Sequence, residues 1–203
     1  MKNLKVYKKC LIVVDMVNGF VREGGLHDKY IEHTIKRQQE LIDDYQKSRE
    51  LIIFIKDNHE LDSVEHNRFG TIKHCINGTS EAELIDEFKQ YEKEDNVLVF
   101  KKNCTSFREA TGFIDTISEA SNIKEFDICG CCTDICIANG VISTMNYFDQ
   151  INRQVEVRVH EEATETFDSP LHKRDEYSQA AYLLMKQQGV KIVKKLGEMK
   201  YGK

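Results

Sequence analysis

The sequence predicts a three-layer, doubly wound α/β domain (Rossmann-like) with a mainly parallel sheet of about six strands. Three observations predict it. Short apolar, β-branched runs recur along the chain, segments of helical periodicity separate them, and the runs are apolar throughout rather than alternating. Strands of that kind are buried on both faces, which implies a parallel sheet with helices on either side.

The strand runs are "CLIVV" (10–14), "LIIFI" (51–55), "VLVF" (97–100), "FDICG" (126–130), "VEVRV" (155–159) and "VKIV" (190–193). After the first comes "YIEHTIKRQQELIDDY", which places Ile31, Ile35, Leu41, Ile42 and Tyr45 near one helical face. "SEAELIDEFKQY" opens with a serine cap signal and acids in its first turn, so a helix is expected there. Segments 134–150 and 171–188 also read as helices, the second closing at Gly189. Connections between such strands are right-handed crossovers. The chain shows no internal repeat, no linker and a single proline, Pro170, so residues 1–203 are read as one domain.

Composition removes several partners. A net charge of −5 with bases dispersed among acids offers no footprint for nucleic acid and little for an anionic membrane. No stretch approaches the ~18 apolar residues of a membrane span. The N-terminal "KKCLIVVDMV" is too short and is interrupted by Asp15, so it is not a signal peptide. Seven cysteines, an odd number, suit reduced thiols in a cytoplasm better than a disulfide framework.

In this architecture ligands bind beyond the carboxyl ends of the strands. The first strand ends at Asp15, the second in "IKDNHE" and the third at Lys101 and Lys102; the fourth runs into "GCCTDIC". Taken singly each has a duller reading. Asp15 could be a turn residue, the lysines solvated charges, and Asp57 with His59 polar surface. The loop "DNHELDSVEHNRFGTIKHC" is more informative as a whole, because Asp57, His59, Glu65, His66 and His74 are mixed imidazole and carboxylate donors of the kind that hold zinc or another first-row divalent ion.

Four clustered cysteines do not make a structural zinc site here. Cys129 and Cys131 share a strand face while Cys132 turns away, and no second C-x-x-C pair stands elsewhere. Cys10, Cys75 and Cys129 read as core. Cys136 differs, since a helix expected from Thr133–Asp134 puts it in a first turn, where dipole and free N–H groups lower a thiol pKa. A thiol, a carboxylate and an ammonium group around one crevice are the parts of a cysteine hydrolase.

Four stretches carry a family resemblance: "LIVVDMVNGFVREGGL", "KDNHELDSVEHNRFGTIKHCINGT", "VFKKNCTSF" and "GCCTDICIANGV", which together span 11–141. The chain resembles the isochorismatase-like cysteine hydrolases, and among them the nicotinamidases. The resemblance implies Asp15, Lys101 and Cys136 as the catalytic residues, with Lys101 chosen by its spacing to a phenylalanine. It also implies a cis peptide at Cys131–Cys132, an oxyanion hole from the N–H groups of Cys132 and Cys136, and Asp57, His59 and His74 as metal ligands. The fourth ligand is open between Glu65 and His66. The expected ion is zinc, with iron or manganese as alternatives. The expected partners are a small-molecule amide and further copies of the chain in a homo-oligomer, with neither nucleic acid nor membrane. Relatives with a tryptophan in the pocket wall have Thr71 as the counterpart here, so Phe20 and Phe69 are expected to supply aromatic surface. Nicotinamide is the expected substrate. A related amidase acting on a carbamoyl or ureido compound is one alternative, and a non-catalytic metal- or redox-responsive binding protein is another.

Overall fold

The computed structural model describes residues 3–68, 70 and 72–194. Six strands form one sheet: β1 Lys9–Val14, β2 Leu51–Asp57, β3 Val97–Lys102, β4 Glu125–Cys131, β5 Glu156–Glu165 and β6 Lys191–Val193. Their order is β3-β2-β1-β4-β5-β6, and every pairing is parallel. The order reverses between β1 and β4, so a crevice opens beyond the carboxyl ends of those two strands.

Alternation along the strands feeds two cores. Cys10, Ile12 and Val14 point to one face, where they meet residues of α5 (Phe113–Glu119), α6 (Ala138–Gln150) and α7 (Arg174–Gln187). Leu11 and Val13 point to the other, under α1 (Asn18–Val21), α2 (Lys29–Glu32), α3 (Ile35–Ser48) and α4 (Asp86–Lys89). The expected three layers are present. Among the described residues no helix is long and apolar enough to cross a membrane.

Three expected helices are altered by their surroundings. The one over "YIEHTIKRQQELIDDY" divides into α2 and α3, because Thr34 turns its hydroxyl onto the Ile31 carbonyl at 2.7 Å. The one over "SEAELIDEFKQY" is broken into 3-10 turns around α4. There Leu84 bridges Val17, the Asn18 N–H donates to the Glu83 carbonyl at 2.9 Å, and that tertiary pairing overrides local propensity. The last helix starts at Arg174 rather than 171, since Ser169 and His172 close a small antiparallel bridge first. Helix α5 had no counterpart in the sequence reading.

Candidate active site

At the β1–β4 crossing the backbone itself is special. Asp15 ends β1 with φ 53°, a left-handed conformation that aspartate tolerates better than most residues, and its N–H donates to the Ile55 carbonyl at 2.9 Å. Beside it β4 passes close to β1 at Gly130, φ 120°, where a Cβ would stand 2.0 Å from the Val14 carbonyl oxygen. Only glycine fits there. The Cys131–Cys132 peptide that follows is cis. A π-helical turn then spans Thr133–Ile137, with the Ile135 and Ile137 N–H groups donating to the Cys132 carbonyl at 3.2 and 3.1 Å. Regular helix begins only at Ala138, so Cys136 sits in a wide turn before α6 and not in the helical first turn that the sequence suggests.

The lysine is the main correction. β3 runs through Lys102, and its side chains alternate. Lys101 is exposed and, among the described residues, donates to Asn77 Oδ1 alone, at 3.3 Å. Lys102 points inward in register with Asp57. Its ammonium lies 2.8 Å from Asp15 Oδ2, donates to Asp57 Oδ1 at 2.6 Å, and donates to Cys136 Sγ at 3.5 Å. Spacing to a phenylalanine selected the neighbouring residue; strand parity decides otherwise. The Asp15 contact is an ion pair, and neither Asp15 oxygen meets the geometry of a regular hydrogen bond among the described residues.

Burial dominates the electrostatics. It pushes the Asp15 carboxyl up to about 7 against the pull of Lys102, with the Asp57 charge adding to the rise. Asp57 is also desolvated, but Lys102, His59 and His74 outweigh that and hold it well below the carboxylate range. The Lys102 ammonium loses hydration yet is held protonated by Asp15 and Asp57. The Cys136 thiol, 7% exposed, is driven well above its ordinary value by burial, which Lys102 opposes and Asp15 and Asp57 reinforce. The sequence reading expects a lowered thiol, but loss of water outweighs both the lysine and the turn. The thiol is thus held toward its protonated form, next to a carboxyl raised to about 7.

A candidate metal centre adjoins this trio. One donor atom from each of Asp57, His59 and His74 falls within 4.8 Å of the others. The His59 Nδ1 faces Asn103 Oδ1 at 2.7 Å and the His74 Nδ1 faces the Ile72 carbonyl at 3.0 Å. Both Nε2 atoms therefore turn toward Asp57 Oδ2, at 2.8 and 3.3 Å. Outer partners that set tautomer and ring direction in this way are typical of metal-binding histidines. The buried Glu65 Oε2 and both ring nitrogens of His66 lack partners among the described residues, and the three imidazoles lie within 5.2 Å of one another. Unpaired buried donors are costly, and a divalent ion would satisfy them. The residues fit such an ion, and both fourth-ligand candidates stay in play.

A cavity of about 850 Å³ opens above Cys136 and His74. Phe20 lines it, with its ring centroid 5.8 Å from that of His74. Phe69 and Thr71 lie outside the described residues. The sequence reading did not single out Phe167 and Leu171, which come from the loop after β5, or Arg68, yet all three line the cavity. Only their position after a strand end could have signalled the first two. Cys129 and Cys131 are buried in the core under α3, as expected of packing residues.

A family model described as the isochorismatase domain matches residues 9–195. "Nicotinamidase 1" of Arabidopsis thaliana is 29% identical over 177 residues, covering 80% of this chain and 71% of that protein. Among solved structures, a pyrazinamidase of Pyrococcus horikoshii in complex with zinc superposes with a TM-score of 0.72 at 23% identity, over 93% of this chain and 99% of that one. The N-carbamoylsarcosine amidase of Thermoplasma acidophilum gives 0.71 at 23%, over 92% and 96%. These structural likenesses establish the shared fold. With the family model matched over nearly its whole length, the chain belongs to the isochorismatase family of hydrolases.

Proposed function

We propose that the protein hydrolyses nicotinamide to nicotinate and ammonia through a thioester on Cys136. One observation carries the reading: a single buried ammonium, Lys102, contacts both the Asp15 carboxylate and the Cys136 sulfur. Asp15 takes the thiol proton as the sulfur attacks the amide carbon, and Lys102 balances the charge. The N–H groups of Cys132 and Cys136 hold the oxyanion; losing one such donor typically costs ~3–4 kcal/mol. The C–N bond breaks as Asp15 returns the proton to the departing amine. Asp15 then takes a proton from water, which attacks the thioester and frees the acid and the thiol. When bound at Asp57, His59 and His74, a divalent ion supplies a Lewis-acidic anchor for a lone pair of the substrate. Zinc, a cytoplasmic location and self-association belong to the same reading.

A second reading is favoured by Arg68. It lines the cavity, is exposed, and has no ion-pair partner among the described residues. A carbamoyl compound carrying a carboxylate would suit that guanidinium. Ammonia release from a panel containing nicotinamide and carbamoylated amino acids separates the two. Cys136→Ala should abolish release from the preferred amide while leaving metal content intact; retained turnover in that variant refutes the thioester.

A further inference from the structure

We infer that His172 is a positioning residue, a latch that holds one wall of the cavity against the nucleophile turn. The loop after β5 supplies Phe167, Asp168, Ser169 and Leu171 to the cavity, and Leu171 is 92% exposed at its mouth. Among the described residues one ring hydrogen-bonds that loop to the nucleophile turn. His172 Nε2 lies 2.8 Å from Oδ2 of Asp134, two residues before Cys136, and its Nδ1 lies 3.0 Å from the Phe167 carbonyl oxygen. Both partners are acceptors, so the ring makes both bonds only with a hydrogen on each nitrogen. The ring is sandwiched between Phe167, stacked at 3.9 Å and 11°, and Tyr177 of α7, also at 3.9 Å.

The link is well protected, since the two side chains are only 12% and 11% exposed. It is also the loop's hydrogen-bonded tie to the turn among the described residues. The other anchors run elsewhere: the Asp168 N–H donates to Asp28 Oδ2 at 3.1 Å, and the Arg174 N–H donates to Asp168 Oδ1 at 3.1 Å. The turn is shaped independently by the two N–H groups on the Cys132 carbonyl. Cutting the latch should therefore release the wall that embraces substrate more than it disturbs the nucleophile.

This inference rests on the proposed amidase function for its kinetic readout. His172→Phe keeps a ring in the sandwich and removes both donors. With metal-loaded enzyme and nicotinamide, KM should rise about tenfold while kcat stays within about threefold. Asp134→Ala should shift the two constants in the same direction, and the double variant should be no worse than His172→Phe, because that variant already lacks the bond to Asp134. A KM within twofold of wild type in a folded variant, a loss confined to kcat, or multiplying effects in the double variant would overturn the latch. Should His172→Phe fail to fold, Asp134→Ala carries the comparison. Amide hydrogen exchange supplies a readout independent of turnover: residues 167–173 should lose protection in His172→Phe while β1 and β4 keep theirs. Unchanged exchange there refutes the latch, whereas a wild type that releases ammonia from no amide refutes only the proposed function.

Discussion

Two adjacent lysines have opposite fates, and the contrast is measurable. Lys102 is enclosed with Asp15 and Asp57, so Lys102→Ala leaves two buried carboxylates without their cation. Breaking such an arrangement costs roughly 3–5 kcal/mol of stability, and kcat should fall by about a thousandfold or more. Lys101→Ala removes an exposed side chain with one long hydrogen bond, and both stability and kcat should stay near wild type. Equal losses in the two variants, measured by denaturant unfolding and ammonia release, would contradict this. In the proposed mechanism Asp15 sets the pH response. It accepts a proton only when ionised, and its carboxyl is raised to about 7, so kcat/KM should fall about tenfold per pH unit below that value. An acid limb near pH 4, where an ordinary aspartate titrates, would mean that burial does not raise the base. At this scale the places of Asp15 and Asp57 after strand ends, and the motifs holding His59, His74 and Cys136, were legible in the sequence, and the structure brings these side chains to one crevice. The sequence could not fix the parity of a strand whose end was unknown, and that misplaced the lysine by one residue.

Elements are joined by polar networks that no local pattern advertises. Asp127 of β4 accepts hydrogen bonds from Arg158 Nε and Nη2 at 2.8 Å each and from the Tyr45 hydroxyl at 2.6 Å, and it faces His160 Nε2 at 2.7 Å. β4, β5 and α3 thus meet on one carboxylate. Burial pushes that carboxyl up, but the bonds from His160, Arg158 and Tyr45 prevail and hold it below the ordinary range. A depressed folded value gives stability that is present above the unfolded pKa of about 3.9 and is lost as pH falls below it. Asp127→Asn should cost about 3 kcal/mol at neutral pH and flatten the stability-versus-pH curve below about pH 4. An unaltered acid slope in thermal melts would count against that. Helix propensity was a weaker guide here than strand composition. The runs at 10–14 and 51–55 became strands with little change, since apolar β-branched residues buried on both faces admit few alternatives. The segment at 80–91 lost its helix because Glu83 and Ile85 pair with the chain near Asn18, a long-range contact that no local window contains.

The whole molecule is organised around the reversal of strand order between β1 and β4, which brings the ends of β1, β2, β3 and β4 to one crevice. Parallel pairing was legible from the apolar runs. The loop after β5 was not, because Phe167 and Leu171 carry no signal beyond their place in the fold. Binding of a divalent ion at Asp57, His59 and His74, as proposed, would depend on all of these parts at once. The donors sit on the end of β2 and on the loop beyond it, and the outer partner Asn103 follows β3. Their convergence exists only in the folded chain, so an ion bound there must stabilise the fold by linkage. At a free concentration one hundred times Kd the gain is about 2.7 kcal/mol. For a chain of 203 residues each kilocalorie moves Tm by roughly 2–4 °C. Chelation should therefore lower Tm by about 5–10 °C and abolish turnover, and stoichiometric zinc should restore both. His74→Ala should begin at the lower Tm and respond to neither treatment, since the cluster loses a donor oriented by the Ile72 carbonyl. Calorimetry with and without chelator checks the expectation; a His74→Ala protein that still gains several degrees from zinc would place the ion elsewhere.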